Sequence, residues 1–253
     1  MLNVLLSRVQ QKHRTMAYPD GPPPELPDRF RGCPAMDPAK CVQGCRACAE
    51  ACPTGAVTVT NALAIDLGKC LFCADCQAAC PHQAITYTTD HRLAVRNRDD
   101  LLLDPDQPLP RLAAPLAGEL KKLFGRSLKL RQVSAGGCNA CEADINVLGT
   151  VGWDLGRFGI QMVASPRHAD GLLITGPVTT NMRLALEKTY QAVAGPKIVI
   201  VSGSCAIAGG PYIGHDQAQD GVGDTIPVDL YIPGCPPHPL TILDGLLRLL
   251  GRL

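Results

Sequence analysis

The hydrophobic pattern changes character partway along the chain. From residue 128 onward, short apolar runs alternate with turn residues and longer amphipathic stretches. LKLRQVS (128–134), GIQMVAS (159–165), GLLITG (171–176), KIVIVSG (197–203) and VDLYIPG (228–234) read as strands. NACEADINVLGT (139–150), TTNMRLALEKTYQAVA (179–194) and PLTILDGLLRLLGRL (239–253) read as helices between and after them. Continuous runs such as IVIV suit strands buried on both faces, so the alternation predicts a parallel sheet covered by helices. Gly136, Gly203 and Gly234 fall at strand ends, where the chain must turn tightly.

Before residue 128 the pattern is fragmentary. Leu2, Leu5, Leu6 and Val9 share one helical face within residues 1–16. That helix either packs on its own domain or docks on a partner or membrane surface. Five prolines between Pro19 and Pro27 predict an extended tether. ACPTGAVTVT (51–60) recurs as ACPHQAITYT (79–88), a Cys-Pro turn running into a short alternating strand. HRLAVRN (91–97) could add a strand. DPDQPLP (104–110) breaks the pattern, and RLAAPLAGELKKLF (111–124) reads as a helix starting near Pro115. Three regions follow: 1–104, a linker and helix at 105–127, and 128–253.

Composition changes this picture through one residue type. The 253 residues carry thirteen cysteines and a net charge of +1. The charge makes no case for nucleic acid. No apolar run approaches the roughly 18 residues of a membrane span, and no secretory leader is legible, so metal ligation in a reducing cytosol is expected rather than disulfides.

Eight of the cysteines form two tandem runs. Cys70-x2-Cys73-x2-Cys76-x3-Cys80-Pro is the bacterial ferredoxin spacing, and Cys41-x3-Cys45-x2-Cys48-x3-Cys52-Pro is the same run with one extra residue, which requires a bulge. Three closely spaced thiolates can wrap one cluster, while the fourth, before proline, reaches the neighbouring one. That assigns Cys41, Cys45, Cys48 and Cys80 to one [4Fe-4S] cluster and Cys52, Cys70, Cys73 and Cys76 to another. Structural zinc is the rival, but zinc sites use separated cysteine pairs and leave the triplet unexplained. Neither repeat can bury a core alone, so the clusters serve as core, with Val42, Ala47 and Phe72 as shields.

Cys138, Cys141, Cys205 and Cys235 each fall just after a predicted strand. The carboxyl ends of parallel strands form one edge of an open sheet, so thiolates from separate loops converge there. A third [4Fe-4S] cluster is expected on that edge. Buried core cysteines are the alternative for Cys205 and Cys235.

GGCNACEADIN, SPRHAD, LLITGPVT, GSCAIAGG and YIPGCPPHP together resemble the cluster-bearing small subunit of membrane-bound group 4 [NiFe] hydrogenases, itself similar to the 20-kDa, B-type subunit of respiratory complex I. Residues 1–104, with RFRGCP and HRLAVRN, resemble the ferredoxin-like, I-type subunit of the same assemblies. The chain thus resembles a fusion of two adjacent subunits of a formate hydrogenlyase or hydrogenase-4 type complex. The implied architecture is an α+β dicluster ferredoxin domain followed by an α/β open parallel-sheet, flavodoxin-like domain. The implied role is electron relay between an outer donor (a formate or carbon monoxide dehydrogenase, or a ferredoxin) and a [NiFe] large subunit. The resemblance also implies membrane-arm partners, and a cytoplasmic position peripheral to the inner face of the membrane. Complex I has adjacent cysteines where this chain has Cys138-x2-Cys141, the hydrogenase form. A complex I-like quinone oxidoreductase subunit is the alternative.

Other residues carry weaker signals. Glu142 either couples proton movement to cluster charge or is simply a helix first-turn acid. Arg167 and His168 either donate hydrogen bonds to cluster sulfur or lie in a surface loop. His238, between prolines, reads as exposed or interfacial, and Cys33 as a spare thiol. No nickel site, flavin fingerprint, nucleotide loop or catalytic triad is legible, so this chain alone holds no complete active site.

Overall fold

The computed structural model describes residues 2–12, 14–223 and 226–253. In chain order its helices are α1 (Leu2–Gln11), α2 (Ala47–Glu50), α3 (Asp75–Ala79), α4 (Gly118–Phe124), α5 (Ala140–Val147), α6 (Thr180–Ala192), α7 (Ser204–Ala208) and α8 (Pro239–Leu249). Its strands are β1 (Pro34–Met36), β2 (Val57–Val59), β3 (Leu63–Asp66), β4 (Ile85–Tyr87), β5 (Leu102–Leu103), β6 (Leu128–Ser134), β7 (Ile160–Met162), β8 (Gly171–Thr175), β9 (Ile198–Ser202) and β10 (Leu230–Ile232).

The C-terminal half is an α/β domain around a five-stranded parallel sheet in the order β10-β9-β8-β6-β7. Numbered within this half, that order is 5-4-3-1-2, the doubly wound flavodoxin-like arrangement, with its switch point between β6 and β8. Every residue of β8 and β9 is buried. Alternate residues face opposite cores: Leu172 and Ile174 pack with Leu186 of α6, while Leu173 packs with the α8 leucines. Leu240, Ile242, Leu243, Leu246, Leu247 and Leu249 of α8 are all fully buried. Burying each is worth about 1.5–3 kcal/mol.

So apolar a helix needs cover on both sides, and distant segments supply it. Leu116 N–H donates to Leu249 O at 2.8 Å. Tyr18 Oη donates to the buried Asp244 carboxylate at 3.0 Å, and Arg248 Nε donates to its other oxygen at 2.8 Å. The proline-rich tether is therefore laid along the α/β half: Arg157 Nη2 donates to Tyr18 O at 2.6 Å, and Met16 N–H to Gly152 O at 3.0 Å.

The N-terminal half is two small antiparallel sheets, β1-β4 and β2-β3-β5, around the cysteine loops. β2 and β4 are the two repeat strands, with the same buried–exposed–intermediate pattern. The 91–97 segment forms no strand. It contributes Val95, which bridges to Leu112 and exchanges backbone hydrogen bonds with Tyr231 of β10. The helix expected over 111–124 is confined to α4, because Ala113 and Leu116 donate their N–H groups to Ala94 O and Leu249 O instead of to a helical ladder.

Candidate metal centres

Both ferredoxin-type runs fold as a loop entering a short helix. In the first run the additional residue is taken up by a turn in which Cys45 N–H donates to Val42 O at 3.1 Å and Gly44 adopts φ +82°. A side chain there would be strained, so the bulge that the spacing requires rests on glycine. The second run needs no such turn, and its helix α3 starts after Ala74.

The thiols gather across the repeat. Burial, then the proximity of Cys80 and more weakly Cys41, pushes the Cys48 thiol up. Burial pushes Cys70 up to about 12, with Cys76 and Cys52 adding to it. Cys73 is raised first by burial and lastly by Cys76. Cys52 is the exception: burial would raise it, but hydrogen bonds from Thr54 and from the Val57 and Ala56 backbone outweigh that and hold it down. Thus Cys41, Cys48 and Cys80 form one neighbourhood, with Cys45 in the same loop, and Cys52, Cys70, Cys73 and Cys76 form another. Backbone N–H groups already point at the sulfurs, from Ala56 to Cys52 at 3.2 Å, Phe72 to Cys70 at 3.3 Å and Ala84 to Cys80 at 3.3 Å.

A third neighbourhood lies on the carboxyl edge of the parallel sheet. Cys138 and Cys141 follow β6, Cys205 opens α7 after β9, and Cys235 follows β10. The Cys141 thiol is raised by burial, then by Cys205, Glu142, Cys235 and Cys138. Cys205 is pushed up to about 12 by burial, then by Cys235 and Cys138. The backbone leaves room only for sulfur here. Gly203 adopts φ +94°, and a Cβ on it would stand 2.6 Å from Cys141 Sγ.

The second and third neighbourhoods abut. Cys235 is raised by burial, then by Cys138 and by Cys73 of the N-terminal half. Ser204 Oγ, buried beside Cys205, donates to Cys70 O at 2.6 Å and to Gly234 O at 3.1 Å, tying one loop from each set together.

The remaining candidates separate. Glu142 is buried in the first turn of α5 and accepts from Thr175 Oγ1 at 2.5 Å. Burial would raise its carboxyl, but donors on Ser134 and Thr175 outweigh it and hold the group below the usual carboxylate range. Arg167 and His168 are exposed in a turn capped by Ser165. That turn leads into Asp170, which is hydrogen-bonded to Lys129 at the amino end of β6, away from the thiol-bearing edge. His238 is not exposed: it caps α8 through Nδ1, between the rings of Phe30 at 5.3 Å and Trp153 at 6.1 Å. Phe72 packs against the core and Ala47 is half-buried, but Val42 is 48% exposed and shields little. Cys33 is 1% exposed, and burial pushes its thiol up to about 12.

Two residues escaped the sequence reading. Ser204 has no signature beyond preceding Cys205. Tyr87 Oη lies 3.7 Å from Cys70 Sγ and 3.6 Å from Cys76 Sγ. Comparing the repeats would have flagged Tyr87, because Val59 occupies its place in the first one.

A ferredoxin-type cysteine framework docked on an open parallel sheet, with thiols along its carboxyl edge, defines an iron–sulfur protein. The chain carries a 4Fe-4S dicluster domain at residues 40–84 and belongs to the family of the NADH ubiquinone oxidoreductase 20 Kd subunit, matched over residues 138–249. It is 40% identical over 135 residues to the probable membrane-bound hydrogenase subunit mbhJ of Pyrococcus furiosus, covering 53% of this chain and 81% of that one. It is 44% identical over 142 residues to formate hydrogenlyase subunit 7 of Escherichia coli, covering 55% of each. It is 39% identical over 118 residues to an NADH-quinone oxidoreductase subunit of Heliobacterium modesticaldum, covering 46% of this chain and 67% of that one.

Proposed function

We propose that the chain is the electron-transfer iron–sulfur subunit of a membrane-associated group 4 [NiFe] hydrogenase complex of the formate hydrogenlyase type. Cys41, Cys45, Cys48 and Cys80 hold one [4Fe-4S] cluster, Cys52, Cys70, Cys73 and Cys76 a second, and Cys138, Cys141, Cys205 and Cys235 a third. The donor sets fit such groups: four thiols each, backbone N–H groups aimed at sulfur, and a glycine where a side chain would strike Cys141. When bound, the clusters supply one-electron redox chemistry.

The observation that carries the reading is the abutment of Cys73 and Cys235, fastened by the Ser204 hydroxyl. Without it the chain would hold two unrelated metal proteins. With it, the three sets lie in file, and the protein's part is to fix their spacing. A [NiFe] large subunit docks on the edge carrying Cys138 and Cys235. The donor, a formate or carbon monoxide dehydrogenase or a ferredoxin, meets the Cys41 end. Membrane-arm subunits hold the assembly at the inner face of the membrane; no described helix is long and apolar enough to cross one.

The Cys138-x2-Cys141 spacing favours hydrogen chemistry over quinone reduction, and the large subunit that co-purifies, with or without nickel, separates the two. Zinc would need four donors on one ion. Its sites also use separated cysteine pairs, which leaves the closely spaced triplets unexplained. The test is an iron and sulfide count on anaerobically purified chain, with spectra of the reduced state. About twelve irons, four per cluster, are expected. About eight would remove the third cluster, and zinc in their place would end the reading.

A further inference from the structure

The internal repeat allows the two dicluster sites to be compared residue by residue. Ala56 N–H meets Cys52 Sγ at 3.2 Å and Ala84 N–H meets Cys80 Sγ at 3.3 Å, four residues after each Cys-Pro cysteine. Those two donors are equivalent and favour neither site. Thr54 Oγ1 lies 3.8 Å from Cys52 Sγ, but its one proton is given to Lys69 O at 2.8 Å. The side-chain difference falls at the third residue of the repeat strands. Val59 ends β2 and lines a groove with Cys41, the first cysteine of its run. Tyr87 ends β4 and places Oη at 3.7 Å from Cys70 Sγ, the first cysteine of the other run, and at 3.6 Å from Cys76 Sγ.

We propose that Tyr87 splits the potentials of the two dicluster centres, its one hydroxyl proton shared between the Cys70 and Cys76 thiolates while Val59 offers the other centre nothing. This rests on the ligand assignment above. A metal-bound thiolate carries no proton, so the hydroxyl has to be the donor in this pair. A donor at sulfur stabilises the more negative, reduced state and raises the potential. The electron is therefore held preferentially at the centre touching Cys235, the one next in line to the sheet edge, rather than at the outer centre. No atoms are exchanged: one electron enters from the outer centre and leaves to the third, and the tyrosine proton stays on its oxygen.

The test is Tyr87→Phe in the full chain, which keeps the ring and its contact with Phe72 and removes only the donor. Iron and sulfide are counted first, so that a wild-type chain without two dicluster centres fails the ligand reading and not this inference. Potentials are then followed by redox titration of the reduced-cluster spectra, with the relevant signal identified by its change in Cys73→Ser. The expected result is one centre harder to reduce by about tenfold in its equilibrium constant, ~59 mV for a single electron, with the other potentials unmoved. Wild-type iron content with no shift, or equal shifts at both centres, would overturn the proposal. If Tyr87→Phe loses iron, Val59→Tyr decides: a rise confined to the Cys41 centre supports the inference, and no rise overturns it.

Discussion

The two halves of the chain reach a folded state by different means. In the α/β half, β8 and β9 are buried throughout and α8 places six aliphatic side chains in the interior. That half has a hydrocarbon core of ordinary kind, and its cysteines sit on one rim of it. In the N-terminal half the longest strand is the four-residue β3, and helices α2 and α3 span four and five residues. Such elements are far below the length at which a helix or hairpin persists unaided. Their fully buried residues, among them Ile65, Leu67, Ile85, Leu101 and Leu103, ring the cysteine loops. The contrast teaches that, under the proposed ligand assignment, iron would be structural material in one half and cargo in the other.

Metal removal should separate the halves most strongly. An iron chelator under reducing conditions is expected to unfold the N-terminal half and leave the five-stranded sheet standing, because metal-binding free energy is folding free energy where the elements are short and the apolar core is small. Hydrogen exchange would show the amides of Ala56, Phe72 and Ala84 losing protection while those of Leu173 and Ile200 keep it. Equal loss in both halves would break the comparison.

The converse perturbation is smaller. Leu243→Ala opens a cavity in the fully buried face of α8 and should cost about 2–5 kcal/mol. Urea unfolding would report that loss, with iron content unchanged in the folded protein. A variant that sheds iron at full sheet stability would show the cores to be less separate than drawn.

The mildest effect sharpens the seam between the halves. His91 is buried beside Tyr18, facing Asp90, Arg92, Asp244, Arg248 and His238, and burial lowers its affinity for a proton from the ordinary value of 6.5. Above that value both states are neutral and stability is full. Below it the unfolded chain takes a proton that the folded chain resists. Stability should therefore fall with pH, by at most about 1.4 kcal/mol per unit, until the folded pKa is reached. His91→Gln should flatten that limb of the pH profile between about pH 6.5 and 5; an unaltered slope would place the titration elsewhere.

Much of this was legible before any fold was known. Apolar runs located all five parallel strands within a few residues, most plainly β8 and β9, because a strand buried on both faces has no polar alternation to obscure it. The tandem runs located the dicluster domain, because cluster ligation constrains local spacing. Short strands were harder: β1, β3 and β5 carry two to four residues each and become strands only through partners elsewhere. The segment 111–116 has helical composition yet is drawn out straight by bonds to Ala94 and Leu249. The SPRHAD loop left Arg167 and His168 open as sulfur donors or surface residues, and the β7–β8 crossover carries them toward the sheet's amino end.

The amino-acid order by itself determined what could be written within one loop or one strand: the thiol triplets, the Cys-Pro turns, the glycine that absorbs an additional residue, and the buried runs of the sheet. Tertiary structure alone decided which thiol set faces which, that Ser204 fastens Cys70 to the sheet edge, that Tyr87 and not Val59 has a hydroxyl against sulfur, and that the tether lies along α8. The physical reason is range. Ligand spacing and strand pattern are local, whereas a hydrogen bond such as that from Ser204 to Cys70 spans 134 residues of sequence and exists only once both cores have formed and docked.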